Sequence, residues 1–278
     1  MQQDKLQLYP KKFHLLTTLL GILALLLCAG AFYVSDFFAG RELNRRIDEI
    51  DALNRNTARI VEENVRLMLA QANHILLMMK LEVEEHGAIR PEYRNLLAEQ
   101  LTLPFFDQFS VADKEGNVTY SAVPLTAPLN IAAREHFRVQ IAADNKRLYI
   151  APPWISRATG VPNIFLSRRV NDGDGNFAGM VGIGLRQDYL ASVYSTLELN
   201  PDHVILLLRQ DGEPLARIPG SLPIEQLRGR YASYVVFGEI ARGQMTGTYG
   251  ANSPSDGVYR LASYRAMDDY PLVVLVGV

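Results

Sequence analysis

Disulfide chemistry is closed to a single copy of this chain, because its one cysteine, Cys28, lies in the most hydrophobic stretch of the sequence. A surplus of either charge is missing as well. The 28 Lys and Arg stand against 30 Asp and Glu, a formal net charge of −2, too even for a nucleic-acid surface or an acidic tail. Any electrostatic role must be local. The residues contain no Gly-x-Ser-x-Gly elbow, no phosphate loop, no His-Glu-x-x-His and no GGDEF sequence, so no catalytic residue and no cofactor are expected. Metal ligation lacks its spacing too. His74, Glu82, Glu84, Glu85 and His86 do not share a helix face as His-x-x-x-His would, and they are expected to form a solvated helix end.

What the sequence does have begins at residues 13–34, an apolar run broken by His14, Thr17 and Thr18. It matches the roughly twenty residues an α-helix needs to cross a bilayer. Lys5, Lys11 and Lys12 precede it, and short Lys-rich flanks hold their end in the cytoplasm. The expectation is a cytoplasmic N-terminus at 1–12, a transmembrane helix at 13–34, and everything beyond Asp36 on the outer side of the membrane. A cleaved signal peptide is the rival, since Ala29-Gly30-Ala31 has small-x-small spacing, but the run exceeds an h-region of about 7–15 residues. Leu27 before Cys28 is too large for a lipoprotein site.

Residues 41–86 contain no proline and place Leu43, Ile47, Ile50, Leu53, Thr57, Val61, Val65, Met68, Ala72, Ile75 and Met79 three or four apart. That period predicts one amphipathic signalling helix over 38–86, with Glu62 and Arg66 paired and Gly87 as its cap. Asn54 and Thr57 interrupt a heptad, so a homodimer seam is expected near Leu43 to Leu53 and core packing after it.

Strands separated by turns then take over. Hairpins are predicted for 105–112 with 118–122, for 164–170 with 177–186, and for 204–209 with 214–218, followed by strands at 247–249, 258–265 and 272–278. The turn 171–176 imitates a calcium loop through Asp172, Asp174 and Asn176, yet Phe177 and Ile183 stand where such a loop needs Gly and Glu. Asn200-Pro201 is expected to divide two small α+β modules, 87–199 and 200–278.

Several stretches, taken in order, resemble the double-Cache family of extracytoplasmic PAS-like sensors, most of all those preceding GGDEF diguanylate cyclase domains. They are Ala133-Arg-Glu-His-Phe, Leu148-Tyr-Ile-Ala-Pro-Pro-Trp, Ser156-Arg-Ala-Thr-Gly, Phe165-Leu-Ser-Arg-Arg, Gly175-Asn-Phe-Ala-Gly-Met-Val-Gly, Leu207-Leu-Arg-Gln-Asp-Gly, Ser253-Pro-Ser-Asp-Gly and Tyr270-Pro-Leu-Val-Val. The resemblance covers nearly the whole chain. It implies an α+β fold of two antiparallel-sheet modules after the membrane and stalk helices, a ligand in the membrane-distal one, and a second transmembrane helix leading to a cytoplasmic output. The chain is accordingly expected to be part of a longer receptor.

The resemblance places Arg134 in the distal pocket, where a guanidinium fork matches a carboxylate. A Trp-Tyr pair of amino-acid-binding members is replaced by His136 and Phe137. Their ammonium-binding aspartate falls at Gly184, and an α-amino group left without an anion is costly to bury. Arg134, His136, Ser156, Arg157 and Ser167, walled by Trp154 and Phe165, then suit a small di- or tricarboxylate. Strand alternation puts Phe165 and Ser167 on one face, while one of Arg168 and Arg169 can join the site. His136 beside a bound acid would make affinity depend on pH. The function expected is periplasmic reception of a small organic acid controlling a diguanylate cyclase; a histidine kinase or chemoreceptor sensor and a ligand-free membrane scaffold are the alternatives.

Overall fold

The computed structural model of the chain describes residues 4–144, 146–195, 202–220 and 224–278. Two units divide it, one through Ala52 and one from Leu53 to Val278. Helix α1 runs Asp4–His86. In the first unit it carries an 18-residue window of mean hydropathy 2.1 with no part buried, long and apolar enough to span a membrane. Leu43 and Ile47 lie exposed beyond it, among the helical ion pairs Arg46–Glu42 at 3.1 Å and Arg45–Glu49 at 3.0 Å.

In the second unit α1 turns Ala58, Val61, Val65, Leu69, Ala72, Leu76 and Met79 inward at helical spacing. Each fully buried side chain of Leu76's kind contributes about 1.5–3 kcal/mol. The predicted stripe therefore packs from Thr57 onward. Gly87 closes the helix, its N–H donating to the Val83 carbonyl at 2.8 Å. Glu82 departs from expectation: it is buried and takes the Arg90 guanidinium, at 2.6 Å from Nε, because the chain doubles back into α2 (Pro91–Gln100).

Two antiparallel sheets follow. The first contains β1 (Phe106–Asp113), β2 (Val118–Ser121), β3 (Tyr149–Ile150), β4 (Trp154–Ile155), β5 (Pro162–Asn171) and β6 (Phe177–Arg186), in the order β2-β1-β6-β5-β3 with β4 also on β5. The second contains β7 (Val204–Arg209), β8 (Pro214–Ile218), β9 (Thr246–Asn252), β10 (Tyr259–Ala266) and β11 (Leu272–Gly277), in the order β8-β7-β11-β10-β9. Helix α3 (Glu135–Ala142) belongs to the first, α4 (Gln187–Ser195) precedes the second and α5 (Val235–Ala241) lies within it. All three predicted hairpins form. The 171–176 turn is held by Asp172, whose carboxylate accepts the N–H groups of Asp174 at 3.0 Å and Asn176 at 2.8 Å. The Asn200-Pro201 boundary lies outside the described residues.

Both faces of the central strands are covered, so they read as continuous apolar runs. Ile164, Leu166, Val181 and Ile183 of the first sheet and Ile205, Leu207, Val274 and Val276 of the second share one core with α1. Leu206, Leu208, Val273 and Leu275 face a second core under α5. Phe165 and Met180 face a third with Phe137 of α3. Polar pins fix α1 to both sheets: buried Glu62 joins Arg66 and Arg265, the Asn54 amide donates to Leu261 O at 3.0 Å, and Lys80 donates to Arg169 O at 2.9 Å.

Candidate ligand site

Alternation along β1 and β5 decides what faces away from α1. Phe109 and Val111 join the α1 core while Gln108 and Ser110 turn to the opposite side, and Phe165 does the same between Ile164 and Leu166. The α3 N-terminus and the 154–158 segment cover that side. Between them lies a cavity of about 30 Å³, lined by Gln108, Ser110, Arg134, His136, Trp154, Ser156, Arg157 and Phe165, with Leu125, Leu129 and Ile131 at its apolar end. That volume takes a water or two, so a larger ligand enters by parting the side chains that close it.

The closing layer is aromatic and cationic. The Arg134 guanidinium lies 4.0 Å from the Trp154 ring centroid. His136 stands edge-on to Trp154 at 4.8 Å and tilts over Phe165 at 4.4 Å. Trp154 is fixed in turn by its indole N–H, which donates to Asn163 Oδ1 at 2.6 Å. Ser156 donates to Gln108 Oε1 at 3.1 Å and accepts the N–H groups of Ala158 and Thr159, both at 3.2 Å, so its hydroxyl shapes the turn that presents Arg157.

Charge at this cavity has one sign. Among the described residues no Asp or Glu lines it, and neither Arg134 nor Arg157 has a carboxylate partner. Burial, and then the Arg157 charge, lower the pKa of Arg134. Burial, and then Arg134, push His136 down to about 3, so the imidazole is neutral near pH 7 and serves as a wall and not as a cation. The arrangement provides two guanidiniums and a ring of neutral donors, the complement of a small anion.

The structure brings Arg134, His136, Trp154, Ser156, Arg157 and Phe165 together and leaves three expected residues aside. Phe137 is buried one layer away, edge-on to Phe177 at 5.5 Å. Ser167 shares the face of Phe165 but lies beneath α3, where its hydroxyl donates to His136 O at 3.0 Å and accepts from Gln140 Nε2 at 3.0 Å. Gly184 is packed over: a Cβ there would come 2.7 Å from Asn163 Nδ2 and 3.3 Å from Asp107 Cβ. Arg168 and Arg169 also stand outside, bound to Asn73 Oδ1 at 2.6 Å and to Gln140 O at 2.7 Å. Gln108, Ser110 and Ser121 were not anticipated. The signal for the first two is present in β1, where Gln108 and Ser110 alternate with apolar residues in a strand buried on both faces.

Residues 187–277, from α4 through the second sheet, match the dCache_1-like family model, described as a histidine kinase sensor domain. Among solved structures, rpHK1S-Z16, described as the extracellular domain of a histidine kinase, superimposes with a TM-score of 0.72 at 29% identity, over 81% of this chain and 92% of that one. The chain has the double-Cache sensor fold. The same fold is found in the ligand-binding domain of the Pseudomonas aeruginosa chemoreceptor PctC in complex with GABA, with a TM-score of 0.57 at 15% identity over 83% of this chain and 100% of that one. P. aeruginosa PctB, in complex with L-Gln, gives 0.60 at 16% identity over 81% and 89%. No curated protein matches the sequence. These double-Cache relatives are parts of kinases and chemoreceptors, and they give the expected cyclase association no support.

Proposed function

We propose that the first sheet module receives a small organic acid, and that this double-Cache region is the periplasmic sensor of an inner-membrane signalling receptor. The observation that carries the reading is the pair Arg134 and Arg157 at a cavity that no acidic residue lines among the described residues. A guanidinium fork holds a carboxylate by two parallel hydrogen bonds. The amino-acid ligands named for PctC and PctB carry an ammonium, which finds no acid at this cavity; a di- or tricarboxylate satisfies both arginines and adds no cation. Binding is proposed to act on the output by favouring one of two arrangements of the sensor. A diguanylate cyclase was expected from sequence; a histidine kinase or chemoreceptor output fits as well, and the 29% identity to the extracellular domain of a protein described as a histidine kinase favours the kinase. The exposed Leu43, Ile47 and Leu53 are the proposed homodimer seam.

The test is calorimetric titration of the full chain in nanodiscs with succinate, citrate, GABA and L-glutamine, beside Arg134→Ala and Arg157→Ala. Binding of an acid that both variants lose supports the reading. Binding of the amino acids alone, or of nothing, overturns it and favours an amino-acid sensor or a scaffold respectively.

A further inference from the structure

Neither wall of the cavity is held by its own module alone. One wall is the start of α3, where Glu135 follows Arg134 and precedes His136. The other runs from β3 through Ala151-Pro152-Pro153 to β4, Ser156 and Arg157. The backbone of this second wall has only short ladders to its own sheet, since β3 and β4 each pair with β5 over two residues and Ala151 adds one bond, to Phe165 O at 2.8 Å; the Trp154–Asn163 and Ser156–Gln108 side-chain bonds hold its far end. Pro152 and Pro153 have no N–H to contribute.

Two arginines of the second module supply what is missing. Arg209, at the end of β7, donates to Ile150 O at 3.2 Å and to the Tyr149 hydroxyl at 3.3 Å, and lies 3.8 Å from the Glu135 carboxylate, which Tyr149 also holds. Asp211 orients the guanidinium from behind, at 3.1 Å from Nε. Arg228 donates to Pro153 O at 2.7 Å and pairs with Glu213 at 3.1 Å. A polar cavity of about 290 Å³ lies among Glu135, Pro152, Arg209, Glu213 and Arg228. The carbonyl immediately before Trp154 and the residue immediately after Arg134 are thus both in the grip of the second module.

We infer that Arg209 and Arg228 are positioning residues for the anion cavity, so that affinity in the first module is set in part by side chains of the second that never touch the ligand. The inference rests on the acid-receptor reading for its binding consequence, and on geometry alone for the brace. Linkage makes the relation reciprocal: an anion that moves the Trp154 wall changes the Arg209 and Arg228 contacts by the same free energy.

The test has two arms on the full chain in nanodiscs, comparing wild type with Arg209→Met, Arg228→Met and Arg209→Lys. The first is hydrogen exchange without added ligand. Faster exchange of the amides of Ala151, Trp154, Ser156 and Phe137, with those of Leu206 and Val274 unchanged, is the expected result. Exchange at wild-type rates there, or acceleration throughout the second sheet, overturns the brace. The second arm is succinate and citrate titration, where the Met variants should bind roughly threefold to thirtyfold more weakly and Arg209→Lys should recover only part. Wild-type affinity in both Met variants overturns the coupling. Absence of binding by wild type overturns the receptor reading instead, and the exchange arm then decides the brace by itself.

Discussion

Arg134 lies over the ring of Trp154, 4.0 Å from guanidinium carbon to ring centroid, and Trp154 is the one tryptophan of the chain. Its emission is therefore a reporter confined to the cavity. An acid that draws Arg134 away from the indole removes a cation from the face of the ring. Titration with a binding carboxylate should shift or change the intensity of tryptophan emission saturably, and Arg134→Ala should abolish the response. Emission that stays flat while calorimetry reports binding would place the acid elsewhere.

The buried imidazole of His136 sets an acid limit. In the unfolded chain it takes a proton near pH 6.5, while in the fold burial and Arg134 keep it neutral down to about 3. Between those values the unfolded state binds more protons, so stability is lost as the pH falls, by about 1.4 kcal/mol per unit where the difference is complete. Urea melts at pH 7, 5 and 4 should show His136→Gln losing less stability than wild type across this window. Parallel curves would refute the assignment.

Gly184 offers a test of ligand class. Restoring the aspartate of the amino-acid-binding pattern by Gly184→Asp would set its Cβ 2.7 Å from Asn163 Nδ2 and its charge beside Asp107. Overpacking of this kind costs about 1–3 kcal/mol, already in Gly184→Ala. The expected outcome is a lowered denaturation midpoint for both variants and no binding of GABA or L-glutamine by Gly184→Asp.

Glu62 ties α1 to the second module through Arg265 and pairs within α1 with Arg66, at 2.6 Å. Both arginine side chains are about one-third exposed, so removing the acid leaves charges that water can reach. Glu62→Gln should cost about 1.5–3 kcal/mol, the worth of hydrogen bonds to a charged group, measured by urea denaturation. A neutral result would show that α1 is held by its apolar stripe alone.

Much of this architecture was legible because period and turn chemistry are local. The inward stripe of α1 follows from spacing, and the Asp172 turn from carboxylate-to-backbone bonding that needs no distant partner. Depth was not legible. Alternation correctly set Phe165 and Ser167 on one face, yet Ser167 lies under α3 because Gln140, a residue 27 positions away, reaches its hydroxyl. The same limit hid Gln108 and Ser110, and it hid Arg209, whose partners Tyr149 and Ile150 belong to the other sheet. Glu82 was misjudged for a related reason, since its burial depends on the return of the chain at Arg90.

The proline pair between β3 and β4 has one more consequence, at the border of the sheet. Strands at a sheet margin present unpaired backbone on which a foreign polypeptide can extend the ladder, the first step of aggregation. Here that margin consists of two-residue pieces separated by Pro152 and Pro153, which have no N–H to offer and permit no straight run. The break that makes the wall of the cavity dependent on its neighbour also denies other chains a template.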